Sequence, residues 1–324
     1  MMSKISIVVP IFNEEGVLDE FATRVVNLMD SLKERYQCEL IFALDPSTDG
    51  TEEKLERYAG NDPRIKYLKF SRRVGQPMAT VAGIDHAEGD ACIVIDVDLQ
   101  DPPELIPELL HKWEEGYDVV LPQRRSRKGE TFIKMAVSSV GYYLMNKITS
   151  VRIPREIGDF RLMSRRVVEE LKRFRTSHGF LRGMVSYVGF KQITLPYDRE
   201  IRKKGQSKYN PFLGSLKIGL NSLVCFSTFL LTLGYTAGFA MILVSFLTIS
   251  YGLLNQWVLA GEPPRNTLLI LSAVFFVGGV QLILMGVLGE YVGRTYEEVQ
   301  DRPRYIVDKK VNFIVAENER GPRP

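Results

Sequence analysis

Hydrophobic and polar positions switch between two periods along the first part of the chain. Ile5–Pro10 is a short, β-branched apolar run closed by proline, the pattern of a buried strand. Glu14–Lys33 then sets Val17, Leu18, Phe21, Val25, Leu28, Met29 and Leu32 at helical spacing. Glu39–Leu44 reads as a second strand. After it, Asp49 is expected to N-cap a helix reaching Tyr58, with Glu52 and Glu53 in its first turn. Arg64–Phe70 is a third strand, and Pro77–Ala87 a helix that tolerates proline in its first turn. Ala91–Val97 is a fourth strand, Pro103–Glu115 a helix and Asp118–Pro122 a fifth strand. Strands alternating with helices predict an α/β domain with a mostly parallel sheet covered on both faces. Ligands of such sheets sit at the carboxyl ends of the strands.

Beyond Arg124 the pattern loosens. Lys134–Ile148 and Arg165–Phe174 have helical spacing, the second with Val167, Val168, Leu171 and Phe174 on one face. Pro211–Ser227 carries Phe212, Leu213, Leu216, Leu220, Leu223 and Val224 on one face, which predicts an amphipathic helix lying at a membrane interface. A helix packed into the domain core is the alternative. No charge occurs from Ile218 to Ala260, or from Thr267 to Gly289. Each run exceeds the roughly 20 residues that cross a hydrocarbon core.

The expected organisation is a cytosolic domain over residues 1–210, an interfacial helix over 211–227, and a two-helix transmembrane hairpin. Its spans are 228–254 and 268–289, joined by an external connector, 255–267, and followed by a basic cytosolic tail, 290–324. The tail holds Arg294, Arg302, Arg304, Lys309 and Lys310 and the connector only Arg265, so the positive-inside bias puts both termini in the cytosol. The apolar run at the N-terminus is too short for a signal peptide.

Composition narrows the function classes. Among 324 residues, 42 basic and 39 acidic side chains leave a formal charge of +3, which argues against nucleic-acid binding through bulk charge. Anion binding has to come from local clusters. With 45% apolar and 25% charged residues, the chain is not of the disordered class. Cys38, Cys92 and Cys225 are odd in number and far apart, so neither a disulfide framework nor a structural zinc site is supported.

The sharpest chemical signal is Ile93-Val94-Ile95-Asp96-Val97-Asp98-Leu99-Gln100-Asp101-Pro102-Pro103. A buried strand runs into alternating carboxylates. Asp96 and Asp98 are two residues apart, so an extended chain aims both side chains one way. Hard oxygen ligands at an open sheet edge suit Mg²⁺ or Mn²⁺ held together with substrate phosphates, and Gln100 offers a third oxygen. The bland alternative is an aspartate-rich turn that caps the next helix. Two basic segments follow. Arg124-Arg125-Ser126-Arg127 comes after the fifth strand, and guanidinium forks match phosphate oxygens. Arg202-Lys203-Lys204-Gly205-Gln206-Ser207-Lys208 precedes the interfacial helix, where a lipid head group would lie, and its serine and lysine suit phosphate. An exposed basic loop is the alternative for the first, and a juxtamembrane charge patch that only attracts lipid for the second.

Pro10-Ile11-Phe12-Asn13-Glu14-Glu15, Asp45-Pro46-Ser47-Thr48-Asp49-Gly50-Thr51 and Asp96-Val97-Asp98-Leu99-Gln100-Asp101 resemble glycosyltransferase family 2. The stretch through Pro103 and Glu104, with Gly158-Asp159-Phe160-Arg161-Leu162 and Leu288-Gly289-Glu290-Tyr291-Val292-Gly293-Arg294, is similar to the polyprenyl-phosphate branch of that family. Within the branch it resembles the bacterial bactoprenol (undecaprenyl-phosphate) glucosyltransferases.

The resemblance implies a Rossmann-like, nucleotide-sugar-binding GT-A domain and inverting transfer of a hexose, foremost from UDP-glucose, to undecaprenyl phosphate. It also implies Mg²⁺ or Mn²⁺ as cofactor, a homo-oligomer such as a tetramer, and the bacterial inner membrane as location. By position it places Pro10, Phe12, Glu14, Asp45 and Asp96 at the donor and Asp96, Asp98 and Gln100 at the metal. Arg124, Arg127, Arg202, Ser207 and Lys208 fall at the phosphate or lipid, and Asp159, with Asp98, in the catalytic role. This chain departs from the family at Leu44-Asp45-Pro46-Ser47, where two aspartates and a glycine are usual, and at Arg73, often an asparagine. Three rival readings are transfer from GDP-mannose in the manner of dolichyl-phosphate mannose synthases, a processive polysaccharide synthase, and a non-enzymatic membrane subunit. The synthases carry Gln-x-x-Arg-Trp, which neither tryptophan here completes.

Overall fold

The computed structural model describes residues 2–125, 157–174, 181–198 and 267–313, with isolated positions 236, 240 and 243. The expected helix over 134–148, the interfacial helix over 211–227, nearly all of the first span and the connector lie outside the described residues. So do Arg127, Arg202, Ser207 and Lys208. The chain divides into one unit of Met1–Tyr142, Val151–Asn210 and Arg302–Pro324 and a second of Tyr143–Ser150 and Pro211–Asp301.

The first unit is a three-layer α/β domain. Its strands are β1 (Ser3–Ile11), β2 (Tyr36–Leu44), β3 (Ile65–Phe70), β4 (Ala91–Val94), β5 (Val119–Arg124), β6 (Arg161–Ser164), β7 (Gln192–Tyr197) and β8 (Val307–Val311). They form one eight-stranded sheet in the order β7-β5-β6-β4-β1-β2-β3-β8. β1 pairs in parallel with β2 and β4, β2 with β3, and β5 with β7. Two reversals interrupt this. β6 runs antiparallel between β4 and β5, and β8 runs antiparallel along the edge of β3. The five strands foreseen from sequence are all present and point one way, so their carboxyl ends share one edge.

Helices cover both faces because the buried residues of each strand alternate. Ile5, Ile7 and Val9 pack beneath α1 (Glu15–Leu32), α2 (Thr51–Asn61) and α4 (Ile106–Glu114). Val8, Ile41 and Val94 pack beneath α3 (Gln76–Asp85), α5 (Arg165–Lys172) and α6 (Leu181–Val188). The apolar spacing of α1 and α5 is what buries Leu18, Phe21 and Val25 in the first helix and Val167, Val168 and Leu171 in the second.

Several boundaries differ from the sequence reading. β4 leaves the ladder at Val94, so Asp96–Asp101 lies beyond it rather than inside a longer strand. The helix expected from Pro103 opens as a 3₁₀ turn over Pro103–Leu105 before α4. The residue that caps α2 is Gly50, not Asp49. Asp49 instead serves two helices at once. One oxygen accepts from Thr51 N–H at 3.1 Å and the other from Glu15 N–H, the first residue of α1, at 3.2 Å.

The segment that reads as a basic tail contributes β8, and its flanks tie it down. Ser71 N–H donates to the Ile306 carbonyl at 3.0 Å. Arg304 donates to Asp85 at 3.0 Å and to the Phe174 carbonyl at 2.7 Å, and Tyr305 OH to the same Asp85 oxygen at 2.9 Å. Asn312 bonds the carbonyls of Ala59 and Ile65 at 2.7 and 2.8 Å. Asp308, Lys309 and Lys310 keep the strand's outer face charged, as edge strands usually are.

In the second unit, α7 (Thr267–Val299) is a single helix of 33 residues that takes in the whole second charge-free run. Among the described residues no helix is long and apolar enough to cross a membrane. The side chains of 267–269, 271, 272, 275, 276 and 279 in α7 lie outside the described set.

Away from the carboxyl edge, a charge cluster sits under the sheet. Glu39 is buried, takes an ion pair from buried Lys66 at 2.8 Å and another from Lys4 at 3.0 Å, and accepts from Ser6 OH and Glu88 N–H. Burial pushes the Glu39 carboxyl up, but Lys66, Ser6, the Glu88 amide and Lys4 together hold it below the usual carboxylate range. A depressed carboxylate stabilises the fold above its unfolded pKa, and that contribution is lost as pH falls through the folded value. Glu39→Gln is expected to lower stability by about 3 kcal/mol, because buried Lys66 keeps only the more distant Glu88, at 3.8 Å, as a counter-ion. Denaturant unfolding of the full chain at neutral pH would measure this. At acid pH the gap between variant and wild type should narrow.

Candidate active site

The site is built where β1, β2, β3 and β4 end together. β1 carries Pro10 inside the ladder, opposite Ala43, so its ring is part of the buried strand. Beyond Ile11 the chain turns at Asn13, whose φ of 51° is left-handed, a conformation asparagine tolerates. That turn is bonded to the one after β2. Asn13 N–H donates to Ser47 Oγ at 3.1 Å, Thr48 N–H to Asn13 Oδ1 at 2.8 Å, and Glu14 N–H to Thr51 Oγ1 at 3.0 Å. The Glu14 carbonyl then accepts the first bonds of α1.

Asp45 is buried just past β2 and holds the third loop. Its two oxygens accept from Val74 N–H at 2.8 Å and Gly75 N–H at 2.9 Å, and its own N–H donates to the Ile11 carbonyl at 3.0 Å. Gly75 has φ +84°, where a side chain would be strained, so this turn needs glycine. The same loop lays the Arg73 guanidinium over the Phe12 ring, 4.1 Å from its centroid, a cation–π contact at the carboxyl edge. Asp45 thus couples three loops through backbone groups. The first aspartate and the glycine usual in the family are not needed for that clamp.

The acidic segment follows the alternation its sequence implies. Val97 and Leu99 are buried, while Asp96, Asp98 and Gln100 are half-buried, so these three side chains share the accessible side. Leu99 takes a left-handed φ of 57° to stay inside. Gln76, from the start of α3, donates to Asp96 Oδ1 at 2.9 Å, and Gln100 N–H donates to Asp98 Oδ1 at 3.1 Å. Among the described residues no group of three or more histidines, cysteines or carboxylates is gathered for a metal. A cation here would be held by two carboxylates and complete its shell from phosphate and water, which is how Mg²⁺ usually binds beside a nucleotide. The donor set therefore fits a hard divalent ion.

Asp101 turns the other way and is buried under Tyr197, whose hydroxyl donates to it. Burial, and then the Asp101 carboxylate, pushes that hydroxyl up to about 12. Tyr197 ends β7, a strand that its sequence did not announce. Arg124, at the end of β5, is half-buried and packs against Gly158. A Cβ on Gly158 would come within 2.9 Å of Arg124 Nη2, so a side chain there would make that guanidinium shift.

Asp159 lies at the turn into β6. Arg161, only 1% exposed, donates to the carbonyls of Asp159 at 3.1 Å and Gly158 at 2.7 Å and stands 3.7 Å from the Asp159 carboxylate. Burial lowers Arg161 to about 10, which leaves it protonated at neutral pH. Arg182, from α6, donates from Nε to Asp159 Oδ1 at 2.9 Å. Burial pushes Asp159 up, but Arg182, Arg161 and Arg124 outweigh it and hold the carboxyl below its ordinary range.

Pro10, Phe12, Glu14, Asp45, Asp96, Asp98 and Gln100 therefore gather at one edge, as the sequence placed them. Arg124 and Asp159 share a second cluster with Arg161 and Arg182. Gln76, Arg182 and the Asp101–Tyr197 pair escaped the sequence reading. Asp101 stood in the quoted motif without a role, and nothing near Gln76 or Arg182 marks a ligand.

The family model for Glycosyl transferase family 2 matches residues 6–172. A Bacillus subtilis (strain 168) protein named uncharacterized glycosyltransferase YkcC is 43% identical over 97% of this chain and 95% of its own length. The SfII prophage-derived bactoprenol glucosyl transferase of Shigella flexneri is 42% identical over 94% of this chain and 98% of its own. Among solved structures, glucosyl-3-phosphoglycerate synthase of Mycobacterium tuberculosis, crystallised with Mn²⁺, UDP and glucosyl-3-phosphoglycerate, aligns with a TM-score of 0.43 at 17% identity, over 68% of this chain and 78% of that one. With a family match across half the chain and relatives alike along nearly all of it, this chain belongs to glycosyltransferase family 2 and is a glycosyltransferase.

Proposed function

We propose that this enzyme moves a hexose, glucose foremost, from a nucleotide sugar such as UDP-glucose to undecaprenyl phosphate, with inversion at the anomeric carbon. The observation that carries the reading is the near full-length likeness to proteins named bactoprenol glucosyl transferases, combined with an Asp96–Asp98 pair presented at the carboxyl edge of a parallel sheet. The edge formed by Phe12, Arg73 and the Asp45 clamp suits the nucleotide. Asp96 and Asp98, with Gln100 beside them, would hold Mg²⁺ or Mn²⁺. When bound, such an ion neutralises charge on the departing diphosphate.

The acceptor needs no base. A phosphomonoester is doubly ionised above a pKa of about 6. What the chain must supply is charge and orientation. Arg124 offers a fork for the phosphate, and Arg127, Arg202, Ser207 and Lys208 are assigned to it from sequence alone.

Membrane attachment belongs to the same proposal. Most described side chains of α7 are exposed, with Ile270, Val274, Leu282, Ile283, Met285, Leu288 and Val292 all more than half exposed, while Val280, Leu284, Val287 and Tyr291 are half-buried. Apolar exposure of that extent suits lipid better than water. β8 joins the catalytic sheet beside β3, which supports an even number of crossings between Asn210 and Arg302 and both termini in the cytosol. A hairpin of two spans meets that condition. We extend the proposal to the bacterial inner membrane and to a homo-oligomer.

Membranes bearing the full chain, given radiolabelled nucleotide sugars one at a time with undecaprenyl phosphate, should yield a lipid-linked monosaccharide from UDP-glucose. A polymer, or a product from GDP-mannose only, would replace the reading. Asp98→Asn exchanges a charged ligand for a carbonyl and is expected to cut turnover by roughly 100-fold or more with folding intact. Undiminished wild-type turnover in EDTA would contradict the cation assignment.

A further inference from the structure

Three guanidiniums surround Asp159, each from a different element. Arg161 is locked by the carbonyls of Gly158 and Asp159, and its burial makes it part of the turn itself. Arg124 packs over Gly158 at the end of β5. Arg182 comes from a different element, α6, twenty-three positions away in sequence, and reaches Asp159 Oδ1 with Nε at 2.9 Å. Its side chain is 29% exposed and that of Asp159 34%, so the pair is partly buried.

We propose that Arg182 is the positioning residue for Asp159, fixing that carboxylate in one orientation and in its charged form, so that it serves as a hydrogen-bond acceptor and not as a proton-collecting base. This rests on the glycosyl-transfer reading above, in which the acceptor arrives as an anion. An anionic acceptor would be repelled by a bare carboxylate. With Arg182, Arg161 and Arg124 facing Asp159 from α6, β6 and β5, the repulsion is cancelled and a carboxylate oxygen remains a fixed acceptor for a sugar hydroxyl. Beyond Gly158, the Asp101–Tyr197 pair adds one further carboxylate, already bonded to a hydroxyl that stays protonated at neutral pH. Burial would carry Asp159 upward if Arg182 were lost, since only Arg161 and Arg124 would oppose it. Protonation of Asp159 would then begin at a higher pH than in the wild type, and activity that needs the anion would fall off earlier on the acid side.

The test uses the full chain in membranes with UDP-glucose and undecaprenyl phosphate. Arg182→Ala should lower kcat by roughly 10- to 100-fold, the scale of a misplaced group, with KM for UDP-glucose changed less than about 3-fold. Its acid limb should move to higher pH, and Arg182→Lys, which keeps the charge, should restore most of the pH profile. In an Asp159→Asn background, Arg182→Ala should cost little more. Losses that multiply, an acid limb that stays in place, or an effect confined to the KM of UDP-glucose would overturn the proposal. A substrate-free cycle of thermal midpoints with Arg182→Lys, Arg182→Gln and Asp159→Asn separates this from the parent reading. If wild type makes no lipid-linked sugar, the transfer reading fails. Additive midpoints would refute the pairing itself, and non-additive ones support it.

Discussion

Burial of Val97 and Leu99 beyond the end of β4 is the constraint from which the rest of the site follows. Two apolar side chains drawn inward force their neighbours outward, and the neighbours are Asp96, Asp98 and Gln100. Full burial of a Val or Leu side chain is worth about 1.5–3 kcal/mol each, enough to keep Leu99 in a left-handed backbone conformation that costs roughly 1–2 kcal/mol. The hydrophobic core thus aims the carboxylates, and the Gln100 N–H on Asp98 adds a contact of its own. Gln76 on Asp96 then ties the start of α3 to the same edge.

The loops around this edge are joined by backbone hydrogen bonds more than by side-chain pairs. Asp45 reaches the turn after β3, Asn13 and Glu14 reach the turn after β2, and Asp49 begins two helices. Backbone donors left without water must find partners, and these polar residues supply them. This is why the acidic side chains near the carboxyl edge do not all face its accessible side. Asp45 is committed to its loop, and Asp101 to Tyr197. The Phe12–Arg73 contact stands on the frame that Asp45 maintains, so the substitution of arginine for the family's usual asparagine is accommodated by stacking.

The five strands β1 to β5 were legible because they are continuous apolar runs, and the helices between them because of their 3.6-residue period. The later strands β6, β7 and β8 were not. β6 is only Arg161–Ser164, and its first residue is a buried arginine, which breaks the apolar rule that identifies a central strand. β8 reads as a basic tail since it is an edge strand with Asp308, Lys309 and Lys310 facing water, the charge that protects such edges also hiding their strand character. The site divided in the same way. Asp96 and Asp98 declared themselves by period-two spacing, and Pro10, Phe12, Glu14 and Asp45 through a family resemblance. Arg182 met Asp159 only through tertiary packing, between segments with no common pattern. Asp49 was legible as a helix-starting residue but not as one shared between α1 and α2.

The central claim is that the carboxyl edge carrying Asp96 and Asp98 is where the nucleotide diphosphate and a divalent cation meet. Calorimetric titration of the full chain with UDP, with and without Mn²⁺, tests it directly. The account predicts binding that requires the cation and is weakened about 10-fold or more by Asp96→Asn. UDP binding of equal strength without the cation and in the Asp96→Asn variant would contradict it.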